Sequence, residues 1–225
     1  MVTAIIVAAG KSERMGGGAD KAFLSLGSKP VVAWSLMAFE KNADIDSIVL
    51  VVRKDQVTAA KAVARMFGIS KLAKIVAGGA RRQDSVQAGL KEVDSDTRIV
   101  AVHDGARPCV SQEVISDVIK SAKRGAASVT GCRMRDTVKM VEKGSTVSHT
   151  VDRSKYWAVQ TPQAFPYSML RKAYAAVEAE QKEVLDDAQA VETMGESVKI
   201  CESNKLNIKI TTPEDLQIAA AILKL

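Results

Sequence analysis

Cationic side chains in this sequence gather just past its apolar runs. Lys11, Arg14 and Lys21 follow "AIIVAAG"; Arg82 and Ser85 follow "KIVAGGA"; Asp104 and Arg107 follow "IVAVH"; Lys209 stands in "NIKITTPEDL". Guanidinium, ammonium and backbone N–H groups at such places can cradle and neutralise phosphate oxygens. The first cluster is not a P-loop: a Walker A loop needs a glycine five residues before Gly10-Lys11-Ser12, and Ile5 stands there. Nor is it a dinucleotide fingerprint, because Gly16, Gly17 and Gly18 are consecutive. A solvated basic loop and an anion site fit that stretch equally well.

The other clusters also admit two readings. Gly78-Gly79 gives a turn where backbone can approach a planar ligand. Arg82 and Ser85 open the next helix, whose N-terminal N–H groups favour an anion or a base carbonyl. Taken alone, that stretch is more simply a loop with a helix capped by Asp84 or Ser85. Asp104, at a strand tip beside cations, is placed to hold Mg²⁺, or it staples a turn to Arg107. His103 reads as a packed core residue. Across a hairpin, Arg135-Asp136-Thr137 and Val151-Asp152-Arg153 bring Thr137 and Arg153 to one face as donors. Together these residues set several cations and one carboxylate at the loop ends of one sheet.

The elements that must position them alternate in period. Strand-like runs cover Thr3–Ala9, Ser47–Val52, Lys74–Ala77, Arg98–Val102, Ala126–Thr130 and Ser197–Cys201. Helical stretches lie near Pro30–Lys41, Gln56–Phe67, Arg82–Val93, Ser111–Arg124, Pro166–Gln181, Asp186–Met194 and Pro213–Leu223. Near-continuous apolar strands separated by helices predict an α/β fold with a mostly parallel sheet covered on both faces. Ligands of such sheets sit beyond the carboxyl ends of the strands. One segment breaks the alternation: Thr137–Val141 and Thr146–Val151 flank Glu142-Lys143-Gly144-Ser145, predicting an inserted β-hairpin arm over about 132–155. A two-stranded arm is marginal in water, so it must pack against something, a second copy of the chain being one choice. Lys209 is expected on a short strand before the last helix.

Composition narrows the class. The chain has 225 residues, 47% of them apolar, which suits one domain, 1–225, with a sizeable core. Net charge is +6 and the pI about 9.2, yet the cations form small groups rather than a stripe, and only 4% of residues are aromatic. That favours a concave site for an anionic substrate over a nucleic-acid surface. Cys109, Cys132 and Cys201 are odd in number and widely spaced, which suits reduced thiols in a cytoplasmic protein and makes no zinc site with His103 and His149. No run is long enough to span a bilayer, and Val2–Ala9 lacks signal-peptide flanks.

The motifs "AAGKSERM…DK", "GGARRQDSV", "VHDGARP", "RDTVK", "HTVDR", "QTPQAF" and "NIKITTPEDL" occur in the order seen in the 2-C-methyl-D-erythritol 4-phosphate cytidylyltransferase family, which the chain resembles over essentially its whole length. The resemblance implies a Rossmann-like nucleotidyltransferase fold, a homodimer clasped by β-arms, and Mg²⁺ dependence. It implies that Arg14 and Lys21 stabilise the transition state at the CTP α-phosphorus, with Lys209 near the α-phosphate and the attacking phosphate. Ala8, Ala9, Gly10, Gly79 and Ser85 match cytosine and ribose contacts, and Arg82 matches a nucleotide-site arginine. Asp104 matches a residue near metal and substrate, supported by Arg107. Thr137 and Arg153 match methylerythritol-phosphate contacts supplied by the partner's arm. Three positions depart from the pattern: Asp20 stands where proline is usual, Ala80 where an acidic residue is frequent, and Leu185 where threonine often precedes the pair Asp186-Asp187. A ribitol 5-phosphate cytidylyltransferase is the nearest alternative. A catalytically silent nucleotide-binding regulator on the same scaffold is a further one, which the presence of Arg14, Lys21 and Asp104 argues against.

Overall fold

The computed structural model describes residues 1–10 and 20–225. Its strands are β1 (Val2–Ala8), β2 (Ser25–Leu26), β3 (Lys29–Pro30), β4 (Ser47–Val52), β5 (Leu72–Ala77), β6 (Ile99–Asp104), β7 (Ala127–Arg133), β8 (Val138–Val141), β9 (Val147–Val151), β10 (Trp157–Pro166) and β11 (Val198–Glu202). Its helices are α1 (Val31–Lys41), α2 (Val57–Met66), α3 (Arg82–Lys91), α4 (Gln112–Lys123), α5 (Tyr167–Ala179), α6 (Asp187–Glu192) and α7 (Pro213–Leu223). The main sheet has seven strands in the order β11-β7-β10-β6-β1-β4-β5, all parallel to their neighbours except β10, which runs antiparallel to both β6 and β7. This is the expected mostly parallel α/β arrangement.

Strand alternation explains the layering. Ala4, Ile6 and Ala8 of β1 face a buried layer with Leu36 and Phe39 of α1, Ala60 of α2 and Ile115 of α4. Ile5 of the same strand faces the opposite layer, with Val86 of α3, Leu170 of α5 and Val191 of α6. Two helix layers thus leave the central strands apolar on both sides, the reason they read as uninterrupted runs. The helices are capped locally: Ser111 Oγ accepts from Val114 N at 3.4 Å, and Pro213 opens α7.

Two expectations need correction. β10 lies in the middle of the sheet, although its residues were expected to belong in part to the hairpin segment and otherwise to none. Pro162 argues against a central strand because it cannot donate to a ladder. The pairing with β7 shifts register between Gln160 and Gln163, and this irregularity accommodates the proline. Lys209 sits in no strand; next to it, Ile210 N donates to Ala106 O at 2.8 Å.

The arm is present as β8 and β9, paired Val138↔Val151 through Val141↔Val147, with Gly144 at φ +63° in the turn. Its Met140, Val141 and Val147 side chains are exposed.

Gly89 of α3 shows how tightly the sheet is covered. A Cβ there would come 2.7 Å from Ile5 Cγ2 and 3.0 Å from Val51 Cγ2. Alanine normally stabilises a helix by about 1 kcal/mol relative to glycine, whereas overpacking costs roughly 1–3 kcal/mol. Gly89→Ala is therefore expected to lower the urea-unfolding free energy; equal or greater stability would show that the α3–sheet contact is looser than described.

Candidate active site

The carboxyl ends of β1 and β6 and the N-terminus of α3 open onto one cavity of about 150 Å³. Lys21, Arg82, Asp104 and Lys209 line it, together with Ala8, Ala9, Gly10, Gly79 and Ser85. Asp20, Ala80 and Arg81 also belong to its wall. Three separate stretches of chain thus bring amines and a guanidinium to one cavity. Arg14 lies outside the described residues, as does Lys11.

Asp104 is the electrostatic centre. Its Oδ1 accepts from Arg82 Nε at 3.1 Å, its Oδ2 pairs with Lys209 Nζ at 2.7 Å, and Arg107 Nε stands 3.8 Å from Oδ2. Burial pushes this carboxyl upward, but Arg82, Lys209 and Arg107 outweigh burial and hold it well below the usual carboxylate range. Arg107 does staple the turn: its N–H donates to Asp104 O at 2.9 Å, and its Nη1 also donates to Asn207 O at 2.8 Å, a contact that the sequence did not suggest.

Arg82 is shared. Its Nη2 donates to Asp187 Oδ2 at 2.8 Å, and Tyr174 OH donates to Asp187 Oδ1 at 2.6 Å. Burial would weaken the guanidinium's hold on its proton, yet Asp187 and Asp104 together strengthen it. Asp187 and Tyr174 were not singled out from sequence as site residues. The "LDD" stretch was the only signal for Asp187; nothing marked Tyr174.

Beneath Asp104 runs a second polar chain. Asp104 N donates to Thr161 Oγ1 at 2.9 Å, so the Thr161 hydroxyl can donate to His103 Nδ1 at 3.2 Å. His103 Nε2 then donates to Arg107 O at 3.2 Å. The ring is buried against Phe39, as a core histidine should be, and burial pulls its pKa down to about 3.

The glycine loop is shaped by close approach. A Cβ on Gly78 would lie 2.4 Å from Ala9 Cβ, and one on Gly79 would lie 2.4 Å from Asp84 Cβ. Ser85 Oγ accepts from Gly79 N at 3.2 Å and donates to Arg81 O at 3.2 Å, while Asp84 Oδ2 accepts from Arg81 N at 3.0 Å. The capping reading of this loop is correct, and the loop also lines the cavity.

Thr137 and Arg153 do not line the cavity of their own chain. Thr137 is exposed, and Arg153 Nη1 donates to Arg135 O at the foot of the arm. Arg133, Arg135, Arg153 and Lys205 line a separate cavity of about 520 Å³ there. Of the departures, Asp20 and Ala80 border the first cavity, whereas the Leu185 side chain faces solvent.

His103 gives the site a pH signature. Its ordinary value is 6.5 and its folded value about 3, so below pH 6.5 the unfolded chain takes up a proton that the folded chain refuses. Stability then falls with acidification, by up to about 1.4 kcal/mol per pH unit from this one group. Asp104 acts lower, losing its contribution only as pH falls below 3.8, and Asp20, shifted upward by burial, opposes the trend. Stability of His103→Asn measured between pH 7 and 4.5 should fall less steeply than wild type; equal slopes would mean that the ring takes up its proton alike in the folded and unfolded chain.

A family model described as "IspD: 2-C-methyl-D-erythritol 4-phosphate cytidylyltransferase" matches residues 2–225. The chain is 41% identical to the enzyme of that name from Alkaliphilus oremlandii, over 98% of this chain and 94% of that protein. It is 43% identical to the one from Bacillus velezensis, again over 98% and 94%. A solved 4-diphosphocytidyl-2C-methyl-D-erythritol synthase from Anaerococcus prevotii superimposes with a TM-score of 0.88 at 32% identity, covering 100% of this chain and 96% of that one. These likenesses run through the cavity, the sheet and the arm alike, and on them the chain belongs to the 2-C-methyl-D-erythritol 4-phosphate cytidylyltransferase family.

Proposed function

We propose that the cavity around Asp104 joins CTP to 2-C-methyl-D-erythritol 4-phosphate, giving 4-diphosphocytidyl-2-C-methyl-D-erythritol and pyrophosphate. The observation that carries this reading is the convergence of Lys21, Arg82 and Lys209 on one carboxylate-bearing cavity beside a glycine loop. The ribitol 5-phosphate alternative is not favoured, since the matching family model and the relatives named above are methylerythritol-phosphate enzymes.

The substrate's phosphate is already ionised near neutral pH, so attack needs no general base. One of its oxygens forms a bond to the CTP α-phosphorus. The bond from that phosphorus to the bridging oxygen breaks, and the electron pair leaves with pyrophosphate. The obstacle is electrostatic: two anions must approach, and charge grows on the equatorial oxygens. Arg14, Lys21 and Lys209 are assigned to that charge, where fixed donors act without reorganising. Ala8, Ala9, Gly10, Gly79 and Ser85 are assigned to cytosine and ribose, and Arg82 to the nucleotide phosphates. Asp104, braced by Arg107, aims Arg82 and Lys209 and faces the polyol. Holding both reactants in line supplies the rest of the acceleration.

Nucleotidyltransferases of this kind generally use a divalent cation, and Mg²⁺ is the one proposed here. Asp104, which borders the cavity and shares its oxygens with Arg82 and Lys209, is the carboxylate assigned to hold it. Bound there, it would offset phosphate charge.

Thr137 and Arg153 of the partner subunit are assigned to methylerythritol phosphate. The exposed apolar side chains of the arm, and the position of Arg153 away from its own cavity, support a homodimer in which each arm serves the other site. Residues 1–225 would act as one nucleotidyltransferase unit in the cytoplasm, without nucleic acid or membrane as partner. No helix among the described residues is long and apolar enough to cross a membrane.

Pyrophosphate release tests the roles. Lys21→Ala, Arg14→Ala and Lys209→Ala should each cut kcat by roughly 10²-fold, the scale of losing one charge-stabilising donor; near-normal turnover in a folded variant would remove that residue from the mechanism. Arg153→Ala should chiefly raise KM for methylerythritol phosphate. Mixing it with Lys21→Ala should restore activity through hybrid dimers, whereas no recovery after subunit exchange would rule out action in trans. Ribitol 5-phosphate should release pyrophosphate far more slowly than methylerythritol phosphate; equal rates would restore the alternative.

A further inference from the structure

We propose that Oδ2 of Asp20 is a ligand for the divalent cation that accompanies the CTP phosphates. This rests on the cytidylyl-transfer reading and adds to it a residue at a position where the family pattern has proline.

Asp20 borders the cavity beside Lys21 and is only 8% exposed. Its two oxygens are in different situations. Oδ1 accepts from Ala22 N at 3.0 Å and so caps the short 3-10 turn Lys21–Phe23 that carries Lys21. Oδ2 is buried and accepts no hydrogen bond. A buried carboxylate oxygen left in that state is costly, and a hard cation relieves it directly.

The neighbouring charges do not supply that partner. Arg53 and Lys21 act on Asp20 through space, and Asp55 opposes them. The Arg53 guanidinium is committed to Asp55, with Nε–Oδ1 at 3.1 Å and Nη2–Oδ2 at 2.7 Å. Asp104 is engaged on both oxygens, by Arg82 on one side and Lys209 on the other. A metal ion approaching Asp104 must share it with protein cations, which repel the ion. One approaching Asp20 Oδ2 displaces no hydrogen bond.

Local geometry allows the addition without disturbing the loop. Asp20 has φ −74° and ψ 112°, within the range a proline ring imposes on φ. The side-chain cap fixes the backbone that a ring would have fixed, and the second oxygen is left beside the cavity wall with no hydrogen-bond donor.

Calorimetric titration separates the terms. CTP is titrated into wild type, Asp20→Asn and Asp20→Ser, once with EDTA and once with saturating Mg²⁺, and Mn²⁺ replaces Mg²⁺ for electron paramagnetic resonance. Both substitutions keep an oxygen acceptor for Ala22 N, so the turn bearing Lys21 stays capped. The expected result is that both variants lose about tenfold or more in affinity for the metal–CTP complex. Binding of metal-free CTP should stay unchanged or tighten, because a negative charge beside the triphosphate is gone. The Mn²⁺ spectrum in the ternary complex should change as well. Wild-type affinity for the metal–CTP complex in both variants overturns the proposal. So does an equal loss with and without metal, which would make Asp20 a nucleotide or structural contact. If wild type binds CTP equally with and without metal, divalent dependence fails and Asp20 fails with it; if CTP does not bind at all, cytidylyl transfer itself is wrong.

Discussion

A carboxylate buried at the end of a central strand has to be compensated, and Asp104 is compensated by three cations, Arg107 in its own turn and Arg82 and Lys209 from distant parts of the chain. Taking a charge out of water costs several kcal/mol, and a buried pair often repays no more than that cost. Apolar residues of similar volume could be as stable, so the arrangement says little about folding stability. What it does is fix direction. Arg82 comes from the start of α3 and Lys209 from the segment before α7, and both bond to the same carboxylate. Their positive groups therefore meet at one cavity.

The surrounding polar residues keep that arrangement in place. Asp187 holds the far end of the Arg82 guanidinium, and Tyr174 holds Asp187. Thr161 and His103 tie the backbone of Asp104 to that of Arg107. Asn207 donates to Thr161 O at 2.9 Å and to Gln160 Oε1 at 3.1 Å, securing the segment that delivers Lys209. Such a network pays its cost in advance of the reaction, so cations need not be gathered while charge is developing.

Much of this was legible in the sequence because apolar runs and loop residues obey local rules. The parallel strands declared themselves by continuous valine and isoleucine, and the arm by alternation around a glycine turn. Asp104 and Lys209 were found by their place after apolar stretches and by resemblance. β10 was hidden because Pro162 breaks the local signal of a strand that is held by partners on both sides. Lys209 was misassigned to a strand because whether a short apolar segment joins a sheet is decided by its neighbours in the fold, not by its own residues. Asp187 and Tyr174 matter through Arg82, which is distant in sequence from both, and no local pattern announces such a pairing. The mutual bond of Arg53 and Asp55, beside an Asp20 Oδ2 that has no hydrogen-bond donor, is likewise a property of the folded chain.

A structure of the chain with CTP bound tests the central claim most directly, through the distances from the Lys21 and Lys209 amines to the α-phosphate oxygens. Both nitrogens should fall within hydrogen-bonding reach of that one group, with Lys209 still beside Asp104. An α-phosphate that sits clear of both amines, or a Lys209 turned away from the nucleotide, would contradict the account.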